Sequence, residues 1–356
     1  MGNRQEDKRV AILSSGGDAP GMNAAMRAFV RAALWERYQV FGIQNGYEGL
    51  LADDMRELNS RDMGRIINMG GTILGTSRSP EFQTEEGLKK AVKILTERGI
   101  DALCVVGGDG SFRGLTALSE HYKGQVIGIP GTIDNDIPGT EYTIGFDTAV
   151  QTAVEAIDKL RDTALSHGRL FFVEVMGRKS GQIALSVALA CGAEDVMIPE
   201  ERIDAEVFAA RLEAGRKKGK RFGIVVVAEG ASIEPRDLDR AKAIREASPN
   251  PAVQAIVAAE ESPAFTWAEI LRPKIGMNIR VSVLGHIQRG GSPSSFDRIW
   301  GSRMGEAAVR FIKNRMTGIF TAMRAGHMVP AYLVEATQGV RAVEPEMVHL
   351  VRVMGS

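Results

Sequence analysis

The sequence predicts an α/β protein with mostly parallel sheets that are covered by helices on both faces. Short apolar runs rich in β-branched residues recur along the chain, and amphipathic stretches lie between them. The chain has 356 residues, and at ~150 residues per domain this length predicts two domains. The 40 glycines cluster where the apolar runs end, which indicates ligand-binding loops at one edge of a sheet.

Each apolar run predicts a buried strand, because it is bounded by Gly or Pro. The predicted strands are 10–13, 40–43, 102–106, 126–129, 170–175, 196–198, 223–228 and 281–284. Residues 84–98 and 147–164 repeat apolar side chains every three or four positions, which predicts two amphipathic helices. The proline-rich segment 233–273 is predicted to hold a helix near 236–247, followed by surface loop.

Composition excludes several classes of protein. Lys and Arg total 44, as do Asp and Glu, and a dedicated nucleic-acid binder normally carries a basic excess. A hydrophobic content of 44% is too high for a disordered chain. The longest uncharged stretch, 180–193, is shorter than the ~20 residues that span a bilayer. Two cysteines and an N-terminus without an apolar signal core predict a cytoplasmic protein with buried thiols.

Five glycine-containing loops follow predicted strands. They are residues 14–21, 107–111, 130–136, 176–178 and 285–291. Glycine lets the backbone approach a ligand and lets successive N–H groups point at phosphate oxygens. Helices that begin just after such loops add their positive ends. One such loop is what any tight turn requires, whereas five of them, each with a charged or hydroxyl residue, indicate phosphate binding.

The loop at 107–111 leaves two functions open. Gly108, Gly110 and Gly114 superficially match a dinucleotide fingerprint, and Asp134 follows twenty residues later, as in a dehydrogenase. However, Asp109 stands between the glycines and would repel a diphosphate unless a cation intervened. Asp109 is therefore better interpreted as a ligand of Mg²⁺ that bridges phosphate oxygens.

Charge is segregated along the chain although its total is zero. Residues 126–147 carry four acids and no base, and residues 270–296 carry four bases and no acid. Thr132, Asp134 and Asp136 predict either an Asx turn or a carboxylate base for an alcohol, with the second carboxylate near a metal. His286 and Arg289 lie three positions apart just before Gly290 and Gly291 and predict a phosphate contact.

Segments 15–25, 107–111, 130–136, 174–178 and 284–293 together resemble the bacterial-type phosphofructokinase family, the ATP-dependent 6-phosphofructokinases. The resemblance runs from about residue 8 to residue 315, except for residues 233–273, where it fails. It implies two Rossmann-like, three-layer α/β/α lobes with the active site in the cleft between them. It assigns ATP to a larger lobe, 1–144 with about 287–325, and fructose 6-phosphate to a smaller lobe, 145–286 with the C-terminal segment.

The resemblance also implies a reaction, the transfer of the γ-phosphoryl group of ATP to the 1-hydroxyl of fructose 6-phosphate. It makes Asp134 the general base, with Thr132 and Asp136 as orienting neighbours, and it makes Asp109 the Mg²⁺ ligand. Arg178 and Arg78 would stabilise charge on the phosphoryl group in transfer. The residues that match the ATP site are Gly17, Tyr47, Arg78, Ser79, Gly108, Asp109, Gly110 and Ser111.

The sugar-phosphate site implied by the resemblance draws on several loops. It comprises Thr132, Ile133, Asp134, Met176, Gly177, Arg178, Glu229, His286 and Arg289. Arg169 and Arg280 match residues that a neighbouring subunit supplies, which implies a homo-oligomer, usually a tetramer. The implied partners are ATP, fructose 6-phosphate and further copies of the chain, with neither nucleic acid nor membrane.

Donor choice and regulation follow from the same resemblance. Pyrophosphate-dependent relatives carry Asp where this chain has Gly110 and Lys where it has Gly131, so glycine at both positions leaves room for ATP. A possible effector site for ADP or phosphoenolpyruvate matches Arg27, Arg31, Arg161, Lys218 and Lys220. These cations also fit a solvated face, and Ser60 stands where the family has another Arg.

Three other functions compete with that of an ATP-dependent 6-phosphofructokinase. One is a pyrophosphate enzyme or a kinase of another sugar phosphate. A dehydrogenase is disfavoured because the first loop, Gly16-Gly17-Asp18, lacks the glycine spacing that it needs. A non-catalytic regulatory subunit should have lost Asp109, Asp134 or Arg178, and the chain keeps all three.

Overall fold

The structure is a computed structural model that describes residues 8–234 and 262–355. The helix predicted near 236–247 therefore lies outside the described residues. The chain divides into two compact units, Met1–Thr148 with Arg289–Val340 and Ala149–Gln288 with Arg341–Ser356. The assignment of one ligand to each lobe stays a prediction.

The first unit contains a seven-stranded sheet in the order β11-β10-β5-β4-β1-β2-β3. Its strands are β1 (Arg9–Ser15), β2 (Gln39–Ile43), β3 (Met55–Glu57), β4 (Ala102–Gly107), β5 (Gln125–Pro130), β10 (Ile319–Arg324) and β11 (His327–Tyr332). The second unit contains a four-stranded sheet in the order β7-β8-β6-β9. Its strands are β6 (Arg169–Val175), β7 (Asp195–Met197), β8 (Gly223–Ala228) and β9 (Asn278–Val283).

The helices alternate with the strands along the chain. They are α1 (Met22–Trp35), α2 (Gly46–Leu51), α3 (Glu85–Glu97), α4 (Asp109–Ser119), α5 (Phe146–His167), α6 (Gln182–Cys191), α7 (Ala205–Lys217), α8 (Pro263–Leu271), α9 (Ser295–Lys313), α10 (Leu333–Ala336) and α11 (Pro345–Gly355). Two short 3₁₀ helices span Glu81–Gln83 and Gly285–Arg289. All eight predicted strands and both predicted amphipathic helices are present, with ends that are shifted in every case except 223–228.

In the first unit both faces of the sheet are buried. One core joins alternate residues of β1 and β4 (Ala11, Leu13, Leu103, Val105) to side chains of α2, α3 and α4. The intervening residues of β1, including Val10 and Ile12, are also buried, and α1 and α9 pack together and contact β4 and β5. The unit therefore has the helix–sheet–helix layers that the fold class predicts.

The second unit is all parallel, because β6 pairs in parallel with both β8 and β9, and β7 with β8. Phe172, Val225 and Val227 point from the sheet into a core with α7 and α8. Trp267 of α8 is fully buried there. α6 contacts β7 and β8, and α11 packs on α6.

The prediction of surface loop up to residue 273 was wrong, because Pro263–Leu271 forms the buried helix α8. Proline at the first turn of a helix costs no hydrogen bond, and Ser262 caps this turn by accepting from the Phe265 N–H at 3.4 Å. The serine–proline pair was therefore a helix start rather than a sign of loop.

The sequence reading also missed β3, β10 and β11. β3 is only three residues long and β11 is an antiparallel edge strand that contains Pro330 and exposes three of its six residues. Neither strand shows the continuous apolar run that marks a buried parallel strand. In the described parts of the chain, no helix is both long enough and apolar enough to cross a membrane.

Candidate functional site

The glycine loops of the first unit lie side by side at one edge of its sheet. In the parallel register Ser15 of β1 is opposite Gly107 of β4, and Gly107 is opposite Pro130 of β5. The Gly131 N–H donates to the Gly107 carbonyl at 3.0 Å. The carboxyl ends of neighbouring parallel strands meet at one edge, so three of the predicted phosphate-binding and acidic loops form a single surface.

Helix α4 begins at this edge directly after Gly108. The first-turn N–H groups of a helix have no partner within the helix and favour an anion. A Cβ placed on Gly110, in this turn, would meet no atom within 4 Å, so the space beside Gly110 is open. Asp109 lies in the same turn and forms an ion pair with Arg113, one turn further along α4.

Tyr47 supports the first turn of α4 from within the core. Its hydroxyl donates to the Ser111 carbonyl at 2.7 Å, and its ring stacks on Phe82 with centroids 3.8 Å apart. Only 5% of Tyr47 is exposed, and burial raises the pKa of its hydroxyl. Tyr47 was predicted as an ATP contact, and here it positions Ser111.

Two further residues of the predicted ATP site lie near Phe82. Arg78 is exposed, and the Ser79 hydroxyl accepts from the Phe82 N–H at 3.3 Å. Ser79 was predicted as an ATP-site residue, and here its hydroxyl fixes the entry of the 3₁₀ helix Glu81–Gln83.

The acidic loop after β5 is almost fully buried. Thr132, Asp134 and Asp136 are 8%, 2% and 7% exposed. The Asp134 N–H donates to Thr132 Oγ1 at 3.3 Å, and the Thr143 hydroxyl donates to the Thr132 carbonyl at 2.6 Å. A Cβ on Gly108 would lie 3.8 Å from Thr132 Oγ1, so this loop adjoins the start of α4.

Asn135 and Ile133 explain how this loop keeps its shape. Asn135 has a left-handed φ of 49°, a conformation that Asn tolerates better than most residues. Its side-chain oxygen accepts from the Thr143 N–H at 3.0 Å. Ile133 is fully buried, so the structure does not support the direct substrate contact that was predicted for its side chain.

Arg289 lies against the first glycine loop. Its Nη1 donates to the Asp18 carbonyl at 3.2 Å, and a Cβ on Gly17 would come within 2.5 Å of the same nitrogen. Any side chain at position 17 would displace the guanidinium. The structure thus brings a predicted sugar-phosphate residue onto a predicted ATP-binding residue, 272 positions away along the chain.

In the second unit, the loop after β6 is held by hydrogen bonds from its backbone N–H groups. Glu229, just after β8, accepts through Oε1 from the Gly177 N–H at 3.3 Å and from the Arg178 N–H at 2.7 Å. Gly177 and Arg178 have φ values of 141° and 52°. Glycine adopts such a value freely, whereas Arg178 pays a conformational cost that the bond from its N–H to Glu229 offsets. Met176 is buried, whereas the Arg178 side chain is exposed.

Two residues predicted for the same substrate lie far from this loop within the chain. Arg169 is the first residue of β6, and the ~3.3 Å rise per strand residue puts it roughly 20 Å from Met176. Arg280 is opposite Phe171 in the register of β9 and β6, and so is also near the amino end. His286, in contrast, is exposed in the 3₁₀ helix that follows β9.

The predicted effector cations divide between the units. Arg27 and Arg31 lie on α1, in the first unit. Arg161 donates to the Cys191 carbonyl at the end of α6, and Lys220 donates to the Gly355 carbonyl at the end of α11. Both cations therefore cap helix C-termini, and Lys218 is exposed.

Asp297 is a buried carboxylate with several hydrogen-bond partners, and the sequence did not predict it. It is 1% exposed and accepts from the Gly145 N–H at 2.7 Å and the Thr148 N–H at 2.9 Å. Burial raises the pKa of its carboxyl to about 6, although the bonds from Thr148 and Gly145 oppose this shift. Ser294 caps α9 by accepting from the Asp297 N–H at 3.2 Å, and a serine three residues before an aspartate is the available sequence signal.

In the part of the chain that the structure describes, protein side chains alone form no metal site. Within residues 8–234 and 262–355, no three His, Cys, Asp or Glu side chains converge on a common point. Cys104 and Cys191 are buried free thiols, as the sequence predicts.

Known proteins with similar sequences cover most of this chain. A family model described as Phosphofructokinase matches residues 9–312. A Thermus thermophilus protein, "ATP-dependent 6-phosphofructokinase 1", is 46% identical over 98% of this chain and 99% of its own length. A Bacillus subtilis protein, "ATP-dependent 6-phosphofructokinase", is 43% identical over 96% of this chain and 98% of its own length.

Solved structures give the same fold. Phosphofructokinase from Saccharomyces cerevisiae superposes with a TM-score of 0.79 at 32% identity over 93% of this chain, which spans 45% of the yeast chain. A pyrophosphate-dependent phosphofructokinase from Marinobacter aquaeolei has a TM-score of 0.76 at 21% identity over 95% of this chain and 86% of its own, a likeness of fold alone. The chain belongs to the phosphofructokinase family.

Proposed function

We propose that this protein transfers the γ-phosphoryl group of ATP to the 1-hydroxyl of fructose 6-phosphate, giving fructose 1,6-bisphosphate and ADP. One observation carries the proposal: the buried loop with Thr132, Asp134 and Asp136 adjoins the open first turn of α4. An anion-binding turn beside a carboxylate is what phosphoryl transfer to an alcohol requires. The printed names of the curated relatives support the same reaction.

The donor phosphates are proposed to lie on the first turn of α4, where Gly108, Gly110 and Ser111 offer backbone N–H groups. Asp109 fits Mg²⁺, because this ion is usually held by one or two carboxylates together with phosphate oxygens and water. The ion would neutralise charge that develops on the phosphates. The arginine that pairs with Asp109 is exposed, so its release costs little.

Asp134 is proposed to accept the proton of the sugar 1-hydroxyl as that oxygen attacks the γ-phosphorus. A positioned base contributes ~10²–10⁴-fold to the rate. Thr132 and Asp136 orient the acceptor and the metal. Arg78 and Arg178 are both exposed at loops, and we assign them to the negative charge on the phosphoryl group in transfer.

The sugar phosphate is proposed to bind the loop at Met176, Gly177 and Arg178, with His286 and Arg289 as phosphate contacts. Glu229 is proposed as a further contact. Its Oε1 already holds two N–H groups of this loop, so it would both shape the loop and meet the sugar. We assign ATP mainly to the first unit and fructose 6-phosphate mainly to the second.

Arg169 and Arg280 are proposed to act at the site of a neighbouring subunit. Their place near the amino end of the second sheet supports this, since a ligand at the carboxyl end is out of their reach within one chain. The site would then be complete only in a homo-oligomer, and we propose a tetramer.

ATP is proposed as the donor rather than pyrophosphate, and the two glycines that support this differ in their surroundings. Space is open at Gly110, which suits a nucleotide. At Gly131 a Cβ would lie 3.0 Å from both Met22 Cε and Val106 Cγ1. Position 131 therefore has no spare room. Glycine at this position supports ATP as the donor because a lysine is absent, and not because space is left for the nucleotide.

Regulation and location complete the proposal. Arg27, Arg31, Arg161, Lys218 and Lys220 are proposed to bind ADP or phosphoenolpyruvate between subunits. Arg161 and Lys220 would first have to release the helix ends that they cap. Buried free thiols suit the reducing cytoplasm.

A coupled assay of the purified protein tests the proposed reaction. Fructose 6-phosphate and Mg²⁺ are supplied with ATP in one arm and pyrophosphate in the other, with and without ADP or phosphoenolpyruvate. We expect fructose 1,6-bisphosphate with ATP only. Turnover with pyrophosphate but not with ATP would refute ATP as the donor. Turnover of another sugar phosphate alone would refute fructose 6-phosphate as the acceptor.

A further inference from the structure

A buried glutamine links two segments that carry proposed sugar-phosphate residues. Gln288 is fully buried, in the 3₁₀ helix Gly285–Arg289. Its Oε1 accepts from the Met176 N–H at 2.8 Å, and its Nε2 donates to the Ala149 carbonyl at 3.3 Å. One side-chain amide thus joins the loop after β6, the start of the second unit and the 3₁₀ helix.

The loop after β6 depends on bonds from outside itself. Gly177 and Arg178 have left-handed φ values, and Glu229 binds the N–H groups of both. Gln288 binds the N–H group of the preceding residue, Met176. Three successive amides are therefore held by two side chains, and removal of Gln288 would leave a buried N–H without its acceptor, which is costly.

The position of Gln288 in its own helix makes the link specific. His286 and Arg289 stand two residues before it and one residue after it, and the His286 side chain is exposed while that of Gln288 is buried. The side chains of Gln288 and His286 thus point away from the same short helix in different directions. Fixing Gln288 to the Met176 N–H also fixes His286 relative to the loop after β6.

We propose that Gln288 is a positioning residue for the acceptor, which sets the spacing between the Met176 loop and His286 without touching the sugar phosphate. This inference rests on the proposed function, because it assigns both segments to fructose 6-phosphate. This role predicts that loss of Gln288 weakens the affinity for fructose 6-phosphate. The affinity for ATP, which we assign to the other unit, should change little.

Two variants and one control test this role. Gln288→Met keeps the length of the side chain and removes both hydrogen bonds, and we expect the KM for fructose 6-phosphate to rise ~10–100-fold. The KM for ATP should change less than about twofold. Gln288→Glu keeps an acceptor for the Met176 N–H, so its KM for fructose 6-phosphate should lie between those of wild type and Gln288→Met.

Asp204→Ala is the matched control for lost stability. Asp204 caps α7 by accepting from the Glu206 N–H at 2.8 Å, in the same unit but outside both segments. It should lower the thermal midpoint and leave the KM for fructose 6-phosphate unchanged. Binding of fructose 6-phosphate without ATP, read as a rise in the thermal midpoint of each variant, gives a second measurement that does not depend on turnover.

The outcomes separate this inference from the proposed function. If wild type fails to phosphorylate fructose 6-phosphate and is not stabilised by it, the proposed function fails. If wild type is active but Gln288→Met keeps its KM for fructose 6-phosphate, the positioning role is wrong. An equal rise of both KM values, or a rise in the control as well, also overturns it. If Gln288→Met does not fold, Gln288→Glu decides by the same comparison.

Discussion

At the scale of single residues, Asp134, the proposed base, lies in a buried loop that adjoins the start of α4. It is 2% exposed, and its loop is tied by the hydroxyls of Thr132 and Thr143. Bonds that fix the backbone of this loop limit the reorganisation that is needed when the proton moves. The Asx-turn interpretation also describes part of this loop, because Asn135 binds the Thr143 N–H. The turn and the proposed chemistry are therefore compatible.

Asp134→Asn tests this residue directly. The amide keeps the shape of the side chain but cannot accept the proton, so turnover should fall by at least ~10²-fold. Fructose 6-phosphate should still bind, measured as its stabilisation of the variant against heat. A variant that keeps near-normal kcat in the coupled assay would contradict the role of Asp134 as base.

At the scale of elements, the glycines that follow β4 and β5 have different structural roles. Gly110, in the first turn of α4, faces open space, whereas Gly131 is packed against Met22 and Val106. From sequence both glycines were interpreted as room for ATP. The reason for glycine at position 131 is close packing, which depends on α1 and β4 being its neighbours.

The pair Gly110→Ala and Gly131→Ala should separate binding from packing. A methyl group at 110 enters the proposed phosphate space, so the KM for ATP should rise while the free energy of unfolding stays the same or increases by up to ~1 kcal/mol. A methyl group at 131 overpacks the core and should cost ~1–3 kcal/mol. Urea unfolding and ATP kinetics on both variants measure this, and equal stability losses would contradict it.

Asp297 makes the start of α9 sensitive to pH. Its pKa is raised by burial from 3.8 to about 6, so the folded state holds the proton more tightly than the unfolded state. The resulting stability is fully present below about pH 4 and is lost as pH rises through 6, by ~3 kcal/mol in all.

Asp297→Asn removes this titration. The free energy of unfolding of wild type minus that of the variant should therefore fall between pH 4 and pH 7 and stay level above that range. Urea unfolding of both proteins at several pH values measures this difference. The titration of other groups contributes about equally to both proteins and therefore largely cancels. A difference that is constant from pH 4 to pH 7 would show that Asp297 does not titrate in this range.

At the scale of the whole molecule, we propose that the site needs residues from a second chain. The Met176 loop is at the carboxyl end of the second sheet, whereas Arg169 is at its amino end. No rotation of a side chain spans a strand of this length. A second subunit that presents its own Arg169 and Arg280 would complete the site, and symmetry would make the exchange reciprocal.

Complementation tests the shared site. Asp134→Asn and Arg169→Ala chains should each be poorly active alone, but mixed oligomers should regain about a quarter of the wild-type sites, where intact Asp134 meets intact Arg169. Co-expression with two tags, tandem purification and the coupled assay measure the recovery. Mixed oligomers as inactive as their parents would contradict sharing between subunits, and Asp134→Asn mixed with Arg280→Ala repeats the test.

The sequence by itself determined the family, the buried parallel strands and the loops that carry Asp109, Asp134 and Arg178. These features are local, since a buried strand and the glycines after it fall within a dozen residues. Only the tertiary structure decided that Arg289 lies on Gly17, that Gln288 holds Met176 across 112 positions and that Asp297 ties Gly145 to α9. Such contacts depend on strand order and on which helices cover each face, and no short stretch of sequence contains both partners.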